Sequence, residues 1–234
     1  MMKHLRTLLA SPLARRLRRP SLLRAMGVRP LSTEWGFDRG TPVDRYYIER
    51  FLAAHSADIR GRTLEVKSAE YTRSFGSTVT QLDVLDLDSR NADATIVADL
   101  AIGEGIPERA FDCFVLTQTL QFIYDLHAAV VQSHRLLRPG GVLLATVPIV
   151  SRIAPRYGLA TDYWRFTAAS CSRLFGDVFG AEQVTVSTHG NVFAGVAFLR
   201  GVAVEELPRR KLDVHDPYFP ILATVRAVRA DLDG

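Results

Sequence analysis

Short, nearly uninterrupted apolar runs alternate along this chain with segments of helical period, and few folds accommodate that alternation. The runs are Thr63–Val66, Ser77–Leu87, Ala94–Ala98, Phe111–Leu116 and Val142–Val147, with Gln183–Thr188 and Pro220–Val228 nearer the C-terminus. A strand apolar on both faces must be covered on both, which is the condition of an inner strand in a parallel sheet. Helical spacing fills the intervals. Pro42 opens a first helix with Val43, Tyr46, Tyr47, Phe51 and Leu52, and Gly61 closes that unit. Asp125–Leu137 carries Leu126, Ala129, Val130, His134 and Leu137 on one stripe and stops at Pro139-Gly140-Gly141. Thr167 caps a helix reaching Phe179, and Phe193–Leu207 reads as another. The predicted fold is α/β: a Rossmann-like open sheet of about seven strands, mostly parallel, with helices on both faces.

Charge divides the chain differently. Residues 1–33 hold eight basic residues and no acid, whereas the remainder holds 21 basic against 25 acidic residues. The overall +4 therefore belongs to an N-terminal arm, and no nucleic-acid partner is expected of the body. Leu5, Leu8, Leu9, Leu13, Leu17, Leu22 and Leu23 recur among the arginines, a pattern suited to a membrane surface or a protein contact through residues 1–33. A solvated arm and an organellar targeting segment are the other readings. Residues 1–41 read as arm and linker and 42–234 as one domain, long enough to bury a core of its own. The two cysteines, Cys113 and Cys171, stand in apolar surroundings without zinc-ligand spacing, so neither a metal nor a disulfide framework is expected and the location reads as cytoplasmic, with peripheral membrane contact open.

Several stretches together resemble class I S-adenosylmethionine-dependent methyltransferases of the broad type 11 kind. FDCFVLTQTLQFIYDL from Phe111 resembles the family's fourth strand and following loop, HRLLRPGGVLLATVP from His134 its helix, turn and fifth strand, and ATIVADL from Ala94 its third strand. WGFDRGTPVDRYYIERFL from Trp35 and DYWRFT from Asp162 are similar to a bacterial subgroup met beside glycan-modifying enzymes. The resemblance spans roughly residues 42–230. It implies S-adenosyl-L-methionine as cofactor and methyl transfer to a small-molecule or glycan-type acceptor; the composition after the fifth strand favours oxygen over nitrogen as the acceptor atom.

By the same resemblance, Glu65 contacts the cofactor's amino group, an acid after the second strand takes the ribose hydroxyls, Asp99 takes the adenine amino group with Leu100 against the ring, and Thr117 and Gln118 pass under the methionine part. Asp86, Asp88 and Asp83 all qualify as the ribose acid, since a carboxylate accepts two hydroxyls at once. One departure is sharp. The family's glycine-rich loop reads Glu65-Val66-Lys67-Ser68-Ala69-Glu70-Tyr71 here, so Lys67, Ala69 and Tyr71 stand at the three glycine positions. Either the loop takes another path, with Thr72 and Ser74 as donors to the amino-acid end, or the domain is a catalytically silent scaffold or partner-binding module.

Acceptor-side residues are expected after the fifth strand, where Arg156, Tyr157, Asp162, Tyr163, Trp164 and Arg165 cluster. Aromatics beside charges suit a polyhydroxylated ligand. The competing reading makes Trp164 and Phe166 buried anchors and Asp162 and Arg165 an ion pair. His189 and Asp162 are the candidate general bases. His134 reads as a core residue, the loop Asp213–Asp216 as surface, and Asp112 as a tie between strand ends.

Overall fold

The computed structural model describes residues 27–154 and 158–230; the basic arm up to residue 26 lies outside them, as does Tyr157. Seven strands form one sheet: β1 (Arg60–Val66), β2 (Thr78–Asp86), β3 (Ile96–Val97), β4 (Phe111–Thr117), β5 (Leu137–Pro148), β6 (Val184–His189) and β7 (Leu222–Val228). Their order is β3-β2-β1-β4-β5-β7-β6. All pairings are parallel except those of β7, which runs against both β5 and β6. The strand order reverses between β1 and β4, the switch point where an open α/β sheet leaves a crevice at its carboxyl edge.

Two apolar layers cover the sheet. On one face α3 (Leu126–Leu136) and α4 (Ala168–Phe179) bury Phe111, Phe114, Leu116, Leu143 and Phe175. On the other, α1 (Val43–Ala54) and α5 (Val192–Arg200) bury Ile48, Leu52, Val115, Leu144 and Phe198. The short α2 (Glu70–Phe75) follows β1, and α6 (Arg209–Leu212) precedes β7. The Thr167 cap is present: its hydroxyl accepts from the Ser170 amide in a capping box. Asp112 ties strand ends, accepting from the Arg62 amide at 2.7 Å and from Arg138 at 3.1 Å.

Four expectations are corrected. α5 stops at Arg200 rather than running to Leu207, because Gly201 adopts a left-handed conformation (φ 69°) in which a Cβ would lie 2.6 Å from the Ser32 carbonyl. Gly61 does not close the first helical unit, which ends at Ala54; it lies inside β1 where a Cβ would strike the Asp112 carboxylate. The third strand shrinks to Ile96–Val97, because only Leu85 and Asp86 of β2 pair with it. Pro139-Gly140-Gly141 is strand rather than helix stop: α3 ends at Leu136, and the Arg229 guanidinium donates to the His134 and Arg135 carbonyls of its last turn at 3.0 and 2.9 Å and to the Leu137 carbonyl just beyond it at 2.7 Å. A cation is well placed at that end of a helix dipole.

Residues 31–42 are bound to the body rather than free. The Leu31 amide donates to the Arg200 carbonyl at 2.8 Å, Thr41 to Glu205 at 2.9 Å, and Arg39 pairs with Glu206. This segment thereby reaches the carboxyl edge of the sheet. Among the described residues no helix is long and apolar enough to cross a membrane.

Candidate active site

The carboxyl ends of β1 and β4 share an unusual backbone. Lys67, just after β1, has φ 71°, and Gln118, just after β4, has φ 47°. A side chain in the left-handed region costs roughly 1–2 kcal/mol. Lys67 therefore holds the conformation that a glycine would supply, although the residue is not one. Ala69 is buried, and α2 begins one residue later.

Glu65 is 2% exposed. Its carboxylate accepts from the Tyr71 amide at 3.1 Å and the Thr72 amide at 2.7 Å, closing the first turn of α2. Burial raises its pKa, and those amide bonds work against the rise. Thr72 thus meets Glu65 through its backbone, and Ser74 lies exposed on α2.

Of the acids after β2, Asp86 ends the strand itself. It accepts from the Asp88 amide at 3.0 Å and from Asn91 Nδ2 at 2.6 Å, and the same Asn91 nitrogen donates to the Lys67 carbonyl at 2.8 Å. Asn91 so fastens the β2 end to the β1 loop. Asp88 faces outward in a two-point pair with Arg90, which pulls its pKa down to about 2. Asp86 and Asp88 do not lie on one strand, because β2 ends at Asp86. Asp83 lies within β2, bonded to Arg62 at 2.8 Å. Asp99 accepts from the Ala101 amide at 2.7 Å, a tight loop turn, while Leu100 is 5% exposed and belongs to the core cluster that holds Leu85 and Leu64.

Thr117 ends β4 opposite Thr146 of β5. The Gln118 amide donates to the Thr146 carbonyl at 2.9 Å, and its own carbonyl accepts from Gln121 at 2.9 Å. Gln118 Nε2, Gln121 Oε1 and Thr146 Oγ1 are buried without a hydrogen-bond partner. The Gln121 carbonyl accepts from the Tyr163 and Trp164 amides at 2.9 and 3.3 Å, which brings the segment after β5 beside the loop after β4. There Tyr124, Tyr163 and Trp164 form an aromatic group, with Tyr124 5.3 Å from Tyr163 and 5.9 Å from Trp164. The Trp164 indole donates to the Ile123 carbonyl at 3.0 Å.

Asp162 is a brace. Its side chain is 2% exposed, and it accepts from the Ala154 amide at 2.9 Å and from Arg165 at 2.5 and 3.1 Å. Burial works to raise its pKa, but the Arg165 guanidinium and the Ala154 amide hold it below the ordinary carboxylate value. Such an acid is a poor proton acceptor near neutrality. Arg165 also donates to the Arg152 carbonyl at 2.9 Å.

Sequence reasoning assigned no role to the residues that roof this edge. Arg45, in the first turn of α1, lies 5.7 Å from the ring centres of both Phe37 and Tyr71. Arg152 stacks on Trp35 at 3.9 Å. Arg45 Nη1, Arg152 Nε and Nη2, and Asp44 Oδ1 are buried without partners. Burial raises the Asp44 pKa and depresses that of Arg152. The available signal was the block from Trp35 to Leu52, which places aromatics and Asp44-Arg45 at the mouth of a helix start.

His189 stands elsewhere. It ends β6, three strand spacings from β4, or about 14 Å at about 4.8 Å per spacing. It bonds Thr224 at 3.0 Å and stacks on Tyr47 beside a cavity of about 340 Å³. Burial lowers its pKa to about 4, with the charges of His215 and Arg50 adding to the effect. The structure therefore does not bring His189 to the crevice. His127 is exposed, and His134 packs edge-on against Phe179.

The family model described as a methyltransferase domain matches residues 55–145. No curated protein matches the chain. Among solved structures, the [4+2]-cyclase SpnF is similar over 82% of this chain and 84% of its own, at 16% identity and TM-score 0.53. A putative sarcosine dimethylglycine methyltransferase from Galdieria sulphuraria is similar over 81% of this chain and 91% of its own, at 13% identity and TM-score 0.52. A Haemonchus contortus phosphoethanolamine N-methyltransferase, bound to S-adenosyl-L-methionine, matches 88% of this chain but only 54% of its own, at 12% identity and TM-score 0.51.

Proposed function

We propose that this chain, whose fold is shared with methyltransferase-like structures and whose residues 55–145 match the methyltransferase-domain model, uses S-adenosyl-L-methionine to methylate a small polar acceptor. One observation carries the reading. Buried polar atoms without protein partners gather at the carboxyl edge of β1, β4 and β5, beside a strand-end acid on β2.

Those residues fit the cofactor's chemistry. Asp86 is the carboxylate we assign to the ribose hydroxyls, in preference to Asp88, which Arg90 occupies. Asp44 and Arg45, with one buried unpartnered atom each, suit the ammonium and carboxylate of an amino-acid end. Glu65 then acts by holding the Tyr71 and Thr72 amides, and so the loop that stands in for the glycine-rich one. Asp99 and Gln118 are assigned to the adenine and methionine ends. When bound, S-adenosyl-L-methionine supplies a methyl group on a sulfonium that is already a good leaving group. The protein's task is to align the acceptor and exclude water.

On the acceptor side, Tyr163, Trp164 and Tyr124 offer a stacking surface for a sugar ring or a similar polyhydroxylated molecule. Oxygen remains the acceptor atom in this reading. Neither Asp162 nor His189 serves as base, so the oxygen is one that needs little help to lose its proton. The basic arm is assigned to contact with a membrane surface or a protein.

Incubating the full chain with methyl-labelled S-adenosyl-L-methionine and small sugar acids, phenols and amines, while following S-adenosylhomocysteine release, tests the reading. Turnover on at least one class is expected. A folded protein that neither turns over nor binds S-adenosylhomocysteine is the silent scaffold instead, and its Lys67 is the mark of that loss.

A further inference from the structure

Arg152 follows β5 by four residues, on the far side of β4 from Glu65 and Asp86. Its guanidinium lies flat on Trp35, and Nε and Nη2 are both buried without a partner among the described residues. Those two nitrogens form a single edge of the guanidinium, with parallel N–H bonds spaced to meet two oxygens. The molecule uses that edge repeatedly. Arg226 presents Nε and Nη2 to Asp58 at 2.8 and 2.9 Å, Arg90 presents them to Asp88 at 2.9 and 2.9 Å, and Arg39 presents them to Glu206. Only at Arg152 among these is the edge buried and unanswered. Glu34 is close enough to act on its charge but makes no ion pair with it.

The position is also fixed from behind. Arg165 and Ser151 donate to the Arg152 carbonyl at 2.9 and 3.2 Å, and Asp162 holds the Ala154 amide at 2.9 Å. A long cationic side chain with no partner would ordinarily turn toward water. Here the Trp35 face and the Asp162–Arg165 brace keep it at the strand ends. A desolvated, oriented donor pair calls for a planar or tetrahedral oxyanion.

We infer that Arg152, stacked on Trp35, is the specificity residue for a carboxylate or phosphate group carried by the acceptor, which makes the substrate an acid rather than a neutral sugar. This rests on the proposed methyltransferase reading. The oxyanion could otherwise be the cofactor's own carboxylate, and the test separates the two sources.

The experiment titrates malonate and inorganic phosphate into the full chain, with and without saturating S-adenosylhomocysteine, and follows heat and tryptophan emission, since Trp35 is one of two tryptophans. Arg152→Met, Arg152→Lys and Trp35→Leu are compared with the parent protein after a thermal melt confirms folding. Expected are saturable binding of at least one anion, a loss of about tenfold or more in Arg152→Met, a smaller loss in Arg152→Lys, and S-adenosylhomocysteine affinity within about twofold throughout. Anion binding by Arg152→Met equal to that of the parent overturns the inference. So does a tenfold loss of S-adenosylhomocysteine affinity in Arg152→Met, which gives the edge to the cofactor. If the parent binds anions through Arg152 but no S-adenosylhomocysteine, the anion site stands and the methyltransferase reading falls.

Discussion

The two ends of α1 overlook two recesses that differ in how far their polar groups are answered within the protein. Beneath its C-terminal half lies the cavity of about 340 Å³, lined by Tyr47, His55, His189, His215, Thr224 and Arg226. Its polar groups answer one another: His189 bonds Thr224, His215 bonds Thr188, Arg226 and His55 share Asp58, and Tyr47 donates to the Leu212 carbonyl. Beside its N-terminus, at the ends of β1, β4 and β5, Asp44, Arg45, Gln118 and Arg152 keep buried atoms with no partner. The cavity's polar groups are thus mostly answered within the protein, and those of the strand-end crevice are not. Leaving a buried donor or acceptor unmade costs roughly 1–3 kcal/mol, so a protein that keeps several together keeps them for something else.

Breaking the brace that supports the crevice has the largest expected effect. Asp162→Ala should lower unfolding free energy by about 3 kcal/mol, the low end for removing one partner of a buried pair because Arg165 keeps part of its side chain exposed. Chemical denaturation measures it. Asp162→Asn keeps the side-chain shape but sets an amide N–H against a donor, so it should lose part of that stability and keep any activity in the folded fraction; a folded but silent Asp162→Asn would make Asp162 a base after all.

The cavity beside His189 makes a pH prediction. His189 titrates near 6.5 when unfolded and about 4 when folded, so on acidification the unfolded chain takes up its proton first. The stability present above pH 6.5 is lost progressively between about pH 6.5 and 4. His215 and Arg50 deepen the effect from the loop and from α1, while Tyr47 and Thr224 pack against the ring. Thermal melts across that window should show a shallower pH dependence in His189→Gln. An unchanged slope would mean that other groups carry it.

The smallest effect sharpens the crevice itself. Lys67→Gly releases left-handed strain and should gain about 1 kcal/mol or less, since glycine also loosens the unfolded chain. A destabilised Lys67→Gly would show that the lysine side chain does more than occupy a turn.

The contrast between the recesses also marks what the sequence discloses. Apolar runs placed the strands, with β5 missing its first five residues and the third strand overlong, and put Glu65 and Asp86 near strand ends, because strand burial and strand termination are local. The strand order β5-β7-β6 is not local, and it carries His189 three strands away from β4. Arg152 and Trp35 meet across more than a hundred residues, only because residues 31–42 fold back and bind Arg200, Glu205 and Glu206. No periodicity announces such a contact. Leu100 shows the converse limit: a leucine after a strand-end aspartate looks the same in sequence whether it faces a ligand or the core.

The most direct test is calorimetric titration of S-adenosylhomocysteine into the parent protein, Asp86→Ala and His189→Gln. The account predicts micromolar binding by the parent, a loss of about tenfold to a hundredfold in Asp86→Ala for the charged hydrogen bonds removed, and a change within about twofold in His189→Gln. A folded parent that binds nothing at millimolar ligand, or an Asp86→Ala that binds as the parent does, would contradict it.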